Sequence, residues 1–343
     1  MDNFCSDVFT VPLPEMVAAI QTCSWGDGVF HSDEDTNRFQ QRVADLAGKE
    51  AACFMVSGTM SNQIAVRVNL VDPPQSLLCD SRAHIYAYEA AGVATLSQAM
   101  VTPVDPSNGL YLTLEDIKPK IIRDDDHYAP TRLICLENTL SGVVMPIDEI
   151  KRISQFAREN EIRMHLDGAR IWNACVATGN SLADYCQYFD TISVCFSKGL
   201  CAPVGSVMLG SKKAIDKAFW FRKQVGGGIR QSGWLAAAAS LALDLVLPNL
   251  QRTHKLAQWL GDELSKMGIK LKYPVDTSFV VYDPEASNVD VQLVRELAAE
   301  AGLKLWGERI CIHYSIPEKN VHLLAEVFRR ATGANQEANK EEA

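Results

Sequence analysis

Between residues 51 and 160 the chain alternates short apolar, β-rich runs with stretches of helical spacing. Strand signals fall at 51–56, 76–79, 100–103 and 133–136. Helical signals fall at 58–70, 85–91, 114–122 and 147–160. Such alternation leaves few folds open. Parallel neighbours cannot be joined by a tight hairpin, and a helix supplies the crossover, so the pattern predicts a mainly parallel, doubly wound α/β sheet. In open sheets of this kind, ligands bind at the carboxyl ends of the strands. Further apolar segments at 161–166, 191–196 and 204–209 extend the sheet, and the pattern then turns helical at 212–225, 234–247 and 249–267. From Ile269 a smaller α+β unit follows, with strands at 277–282 and 310–314 and helices at 289–301 and 320–331. The expected division is an N-terminal arm (1–30, with a helix at 14–22), a large domain (31–247), a small domain (248–332) and a disordered polar tail (333–343).

A net charge of −9 argues against nucleic acid or an anionic membrane surface as partner. The ten cysteines sit singly, mostly inside apolar segments, with no Cys-x-x-Cys spacing. That reads as reduced core thiols in a cytoplasmic protein without a structural metal. No basic N-terminal region precedes a long apolar run, and no segment is expected to approach membrane-spanning length.

The chemistry concentrates at strand ends. Ser197-Lys198-Gly199 breaks the 191–196 strand, placing an amine at the mouth of a buried segment, where burial favours the neutral, nucleophilic form. Upstream, His165-Leu166-Asp167-Gly168-Ala169-Arg170 ends another strand with a carboxylate 31 residues before that lysine. A strand-end Asp to keep a pyridinium protonated and a strand-end Lys to carry an aldehyde, in this order, are the pattern expected for pyridoxal 5'-phosphate. Ser57-Gly58-Thr59 opens a helix, where free N–H groups suit a phosphate. His84, after a buried strand, is placed to stack on a planar cofactor. Arg309, just before a strand of the small domain, is placed to fork onto a carboxylate. Gly226-Gly227-Gly228-Ile229-Arg230-Gln231 is a flexible loop presenting Arg230, and His127 lies in an acidic loop.

These residues resemble the low-specificity L-threonine aldolases, fold-type I pyridoxal phosphate enzymes of the aromatic-lyase/threonine-aldolase group, most closely their fungal branch. The likeness is carried by Ser57-Gly58-Thr59-Met60-Ser61-Asn62-Gln63, Arg82-Ala83-His84-Ile85-Tyr86, Leu136-Glu137-Asn138-Thr139, His165–Arg170, Ser197-Lys198-Gly199, Ala202-Pro203-Val204-Gly205-Ser206 and the Gly226–Gln231 loop. It implies that Lys198 forms the Schiff base, Asp167 meets the pyridine nitrogen, His84 stacks on the ring, and Ser57, Gly58 and Thr59 hold the phosphate. It also implies that Ser6, Arg170 and Arg309 meet the substrate carboxylate or the cofactor's O3′ side, and that His127 lies near the substrate hydroxyl. Arg230 would complete a neighbouring subunit's site in a homodimer or homotetramer.

Departures from the family pattern cluster in the arm and the loop after it. Phe30 stands for a tyrosine and His31 for a glycine, in a loop that lines the family's substrate site, and Cys201 stands for a glycine beside the lysine loop. The expected reaction is retro-aldol cleavage of L-threonine or L-allo-threonine to glycine and an aldehyde. The alternative is racemisation of alanine or another small amino acid, as in family members of fungal peptide pathways, with His31 as a second acid/base opposite Lys198. A β-eliminating lyase and a non-catalytic scaffold are weaker expectations.

Overall fold

A computed structural model of the chain describes residues 2–341. After a two-residue strand, β1 (Asp2–Asn3), seven strands build the central sheet. These are β2 (Ala51–Met55), β3 (Ser76–Asp80), β4 (Met100–Val104), β5 (Thr131–Glu137), β6 (Arg163–Gly168), β7 (Thr191–Cys195) and β8 (Ser206–Gly210). Their spatial order is β2-β8-β7-β6-β5-β3-β4. Strands β3 to β7 pair in parallel, and β8 alone runs against both of its neighbours. The reason is connection length. Only residues 196–205 separate β7 from β8, too few for a helical crossover, so the chain must double back. That reversal is the loop that carries Lys198.

Register then decides what meets at the sheet's carboxyl edge. β5 and β6 pair with Glu137 beside Asp167, and β6 and β7 with Asp167 beside Ser193. Both faces of the sheet are covered by helices, so β3, β7 and β8 are buried along their whole length. The main core includes Phe39, Phe54, Leu166, Trp172 and Phe196.

A second core gathers Leu256, Leu260, Val280, Tyr282, Ile310, Ile312 and Phe328 from the C-terminal unit, together with Phe4 from the N-terminus. There β9 (Phe279–Val281) pairs antiparallel with β11 (Arg309–Cys311), while β10 (Leu303–Lys304) pairs in parallel with β1. Residues 2–5 are therefore part of the C-terminal unit and not a free arm. The amide of Phe4 donates to Lys304 O at 2.9 Å, Cys311 N donates to Phe4 O at 2.8 Å, and His313 Nε2 donates to Asn3 O at 2.8 Å.

Several expectations are corrected. The helix expected at 85–91 is a single turn, His84–Ala87, because Ala90 and Ala91 take left-handed backbone. The last helix, Glu318–Glu341, runs through most of the tail expected to be disordered. Alanine, glutamine, glutamate and lysine are good helix formers and extend a turn already nucleated by packing; residues 342–343 lie outside the described residues. The run Gly233–Lys266 is long and apolar enough to cross a membrane by length and composition, holding an 18-residue window of mean hydropathy 1.4. Half of that window is buried inside the protein, and Leu247–Asn249, holding Pro248, divides it into the helices Gly233–Leu245 and Leu250–Lys266. All ten cysteines are free thiols, and all but Cys175 are buried.

Phe4 is fully buried in the second core. Phe4→Ala is expected to cost about 3–5 kcal/mol. Urea unfolding gives the loss, and hydrogen exchange at residues 2–10 reports release of the N-terminal segment. Unchanged exchange there would show that the backbone pairing alone holds it.

Candidate active site

Asn62, on the helix Gly58–Asn69, organises the polar centre. Its amide nitrogen donates to Asp167 Oδ2 at 2.7 Å and to Glu89 Oε1 at 2.8 Å, and its oxygen faces His165 Nε2 at 3.1 Å. On the other side of the ring, Nδ1 lies 2.9 Å from the Thr191 hydroxyl and 3.1 Å from the Thr191 carbonyl oxygen. Burial keeps His165 neutral, pulling it down to about 4. The other oxygen of Asp167 accepts from Ala169 N at 3.0 Å.

Glu89 is the second hub. Its side chain is fully buried, takes Gln63 Nε2 on one oxygen, and on the other takes His84 Nδ1 at 2.8 Å. The hydrogen bond to Glu89 raises the His84 pKa above its ordinary value, against the pull of burial, with Asp167 adding to it. With Nδ1 committed to Glu89, Nε2 of His84 is the nitrogen left to exchange a proton. Glu137 Oε2 accepts from His84 N at 2.8 Å. Burial, then the neighbouring Asp167 carboxylate, push the Glu137 carboxyl up to about 8.

Lys198 enters from the β7–β8 reversal. Its carbonyl accepts from Thr10 Oγ1 at 2.7 Å and from Cys201 N at 2.8 Å, which fixes the backbone beneath the side chain. The positive charge of Lys198 is felt by Asp7, His84 and Glu137, whose pKa values it lowers. Cys201 has φ +63°, in the left-handed region that favours glycine, and this accounts for the family's glycine there.

The residues fit pyridoxal phosphate. Ser57 caps the helix Gly58–Asn69 by accepting from Met60 N at 3.1 Å, while the first amides of that helix lack partners within it. A Cβ added to Gly58 would lie 2.8 Å from Cys195 Sγ, so only glycine lets this helix start press against the end of β7. An anion site, a strand-end lysine, a buried carboxylate and a half-exposed imidazole thus share one edge of the sheet.

The substrate side is built on a buried ion pair. Arg170 reaches Asp7 through Nε at 2.9 Å and Nη2 at 2.6 Å. Burial alone would raise the Asp7 carboxyl, but the Arg170 guanidinium more than reverses this and holds it below the usual range. Ser6 is buried and caps the turn Asp7–Phe9. Arg309 is half-buried, and its side chain has no hydrogen-bonded or ion-paired partner among the described residues.

Four of the residues expected at the site are not brought to this cluster within the chain. The His127 side chain is 83% exposed and bonds to Asp125. An imidazole in a loop rich in aspartate finds its nearest carboxylate locally. Phe30 is 81% exposed. His31, with φ +58°, turns its ring edge-on to Phe219 at 4.6 Å. Arg230 is exposed. Conversely, Asn62, Glu89 and Asp7 had not been assigned a role. Asn62 lies within a motif that carries the resemblance and Asp7 follows Ser6, whereas nothing around Glu89 marked it.

The raised Glu137 carboxyl makes a directional prediction. Its folded-state pKa lies above its unfolded value, so its contribution is favourable at low pH and is lost as pH rises toward about 8. In the cofactor-stripped chain, Glu137→Gln should therefore raise thermal stability relative to the parent at pH 8 and give little gain at pH 4.5. A gain independent of pH would refute the assignment.

The chain matches the family model described as beta-eliminating lyase over residues 3–287. It is 51% identical to a low-specificity L-threonine aldolase of Candida albicans, covering 93% of this chain and 87% of the relative. It is 38% identical to an alanine racemase of Cochliobolus carbonum, covering 98% and 89%. Among solved structures it is similar to a threonine aldolase of Leishmania major, with TM-score 0.83 and 20% identity over 97% of this chain and 100% of that one.

Proposed function

This chain belongs to the low-specificity L-threonine aldolase family, within the beta-eliminating lyases, and from that premise we infer a pyridoxal 5'-phosphate-dependent lyase. It cleaves L-threonine and L-allo-threonine to glycine and acetaldehyde. One observation favours cleavage over racemisation: within its own chain His31, the acid/base that racemisation would recruit, has its ring packed edge-on against Phe219.

When bound, pyridoxal phosphate supplies an electron sink for the carbanion left at Cα. Lys198, Asp167, the His84 ring and the Ser57-Gly58-Thr59 turn are the groups that hold it. The chain's own work is orientation and proton transfer. Arg309, with its side-chain donors unengaged, would take the substrate carboxylate in a fork and so fix the orientation of the substrate's bonds at Cα. Asp7 and Ser6 keep Arg170 beside it. His84 Nε2 accepts the β-hydroxyl proton while Glu89 stabilises the resulting imidazolium. We place the cofactor in the large unit, 31–247, with the small unit, 248–332, supplying Arg309. We further propose a homodimer or homotetramer in the cytoplasm. Exposed Phe30 and Arg230 support the first, as groups available to a neighbouring subunit's site, and ten free thiols support the second.

Borohydride treatment of the yellow protein should fix cofactor on Lys198, and peptide mapping to another lysine would sink the assignment. Chiral amino-acid analysis after incubation with L-allo-threonine and, separately, L-alanine decides the reaction. Glycine from the first should greatly exceed D-alanine from the second, and the reverse would make the chain a racemase. His31→Ala should leave threonine cleavage near its original rate. Asp167→Ala should lower it by orders of magnitude.

A further inference from the structure

Phe279, on β9, is buried, and two guanidinium groups lie over its ring. The Arg170 carbon is 4.8 Å from the ring centroid and the Arg309 carbon 5.1 Å. The two arginines are otherwise held very differently. Arg170 is fixed by its two bonds to Asp7. The Arg309 guanidinium has no hydrogen-bonded or ion-paired side-chain partner among the described residues and lies over the face of Phe279. A flexible side chain with five donors and no hydrogen-bonded partner would otherwise sample many rotamers.

The ring itself is well seated. A Cβ on Gly142, at φ +86°, would come within 2.7 Å of Phe279 Cβ, so the Leu140–Val143 turn closes directly over it. Thr277 Oγ1 fastens that turn by donating to Gly142 O at 2.7 Å. On the other side, β9 pairs Phe279 with Cys311 and Val281 with Arg309, so ring and guanidinium ride on adjacent, hydrogen-bonded strands. The negative face of the ring also offsets the repulsion of two like charges brought together without a carboxylate for each.

We propose that Phe279 is a positioning residue for the substrate carboxylate, acting through Arg309. Its ring sets the plane of the free guanidinium fork and, through the carboxylate, the angle at which the substrate's Cα bonds stand. This rests on the amino-acid reading of the site. An aliphatic side chain of similar size fills the same space but offers no negative face, so the fork loses its direction while the core stays filled.

The test uses the cofactor-loaded protein and its visible absorbance. Glycine and glycinamide, which lacks the carboxylate, are titrated against the parent, Phe279→Leu and Phe279→Tyr. Phe279→Leu should weaken glycine about tenfold and glycinamide less than about twofold, whereas Phe279→Tyr, which keeps the ring, should hold both near the parent values. With L-threonine the loss in Phe279→Leu should appear in KM more than in kcat. Exchange of the glycine α-hydrogen with solvent deuterium should rise relative to threonine cleavage. Equal weakening of both ligands would reduce Phe279 to a packing residue and overturn the proposal, as would no change in either. A parent protein blind to glycine would overturn the amino-acid site itself. Should Phe279→Leu not fold, Phe279→Met removes the ring with a more adaptable chain and is read in the same way.

Discussion

The buried pair between Asp7 and Arg170 is the interaction on which the substrate half of this molecule depends. Two charges removed from water repay their desolvation only with good geometry and further hydrogen bonds, and leaving one of them alone typically costs about 3–5 kcal/mol. Here the geometry is bidentate, with a backbone pinned on each side. The pair joins three separate parts of the fold. Asp7 follows the N-terminal strand stitched to β10, Arg170 starts the helix after β6, and Phe279 beneath Arg170 belongs to β9. The arm, the sheet edge and the small unit therefore share one electrostatic joint.

The cofactor half rests on a different economy of charge. Strand register sets Glu137 beside Asp167, and two carboxylates in one buried edge do not both ionise easily. Burial and the Asp167 carboxylate beside it hold the Glu137 carboxyl well above its usual range. Asn62 can donate to Asp167 and Glu89 at once because His165 occupies its oxygen. Burial keeps His165 uncharged, so this contact brings no positive charge beside Asp167.

Much of this was legible in the sequence for a physical reason. Alternating apolar runs and helical spacing report local burial, and local burial determines a parallel sheet. Once the sheet is known, Asp167 and Lys198 must lie at strand ends because their own strands place them there. What escaped is what depends on contacts between distant segments. Asn62 and Glu89 are 27 residues apart and Asp7 and Arg170 163 apart, and no spacing rule links such pairs. Phe279 read as an ordinary strand residue, since nothing local marks a ring that will lie under two arginines. The resemblance placed His31 in the loop that lines the family's substrate site; within its own chain it takes left-handed backbone and its ring meets Phe219, a partner nearly 190 residues away that no local pattern announces.

The parallel pairing of Asp2–Asn3 with Leu303–Lys304 also sets the order in which the protein can mature. A chain leaves the ribosome N-terminus first, and its domains organise as they emerge. The segments that build the cofactor edge, from Ser57 to Lys198, are all available once roughly the first two-thirds of the chain is out. Residues 2–4, made before that edge, have no docking place until the residues near 303–313 follow them more than 290 positions later. The nascent molecule thus completes its cofactor pocket well before its substrate pocket. Competence to select an amino acid waits for Arg309, made long after Lys198.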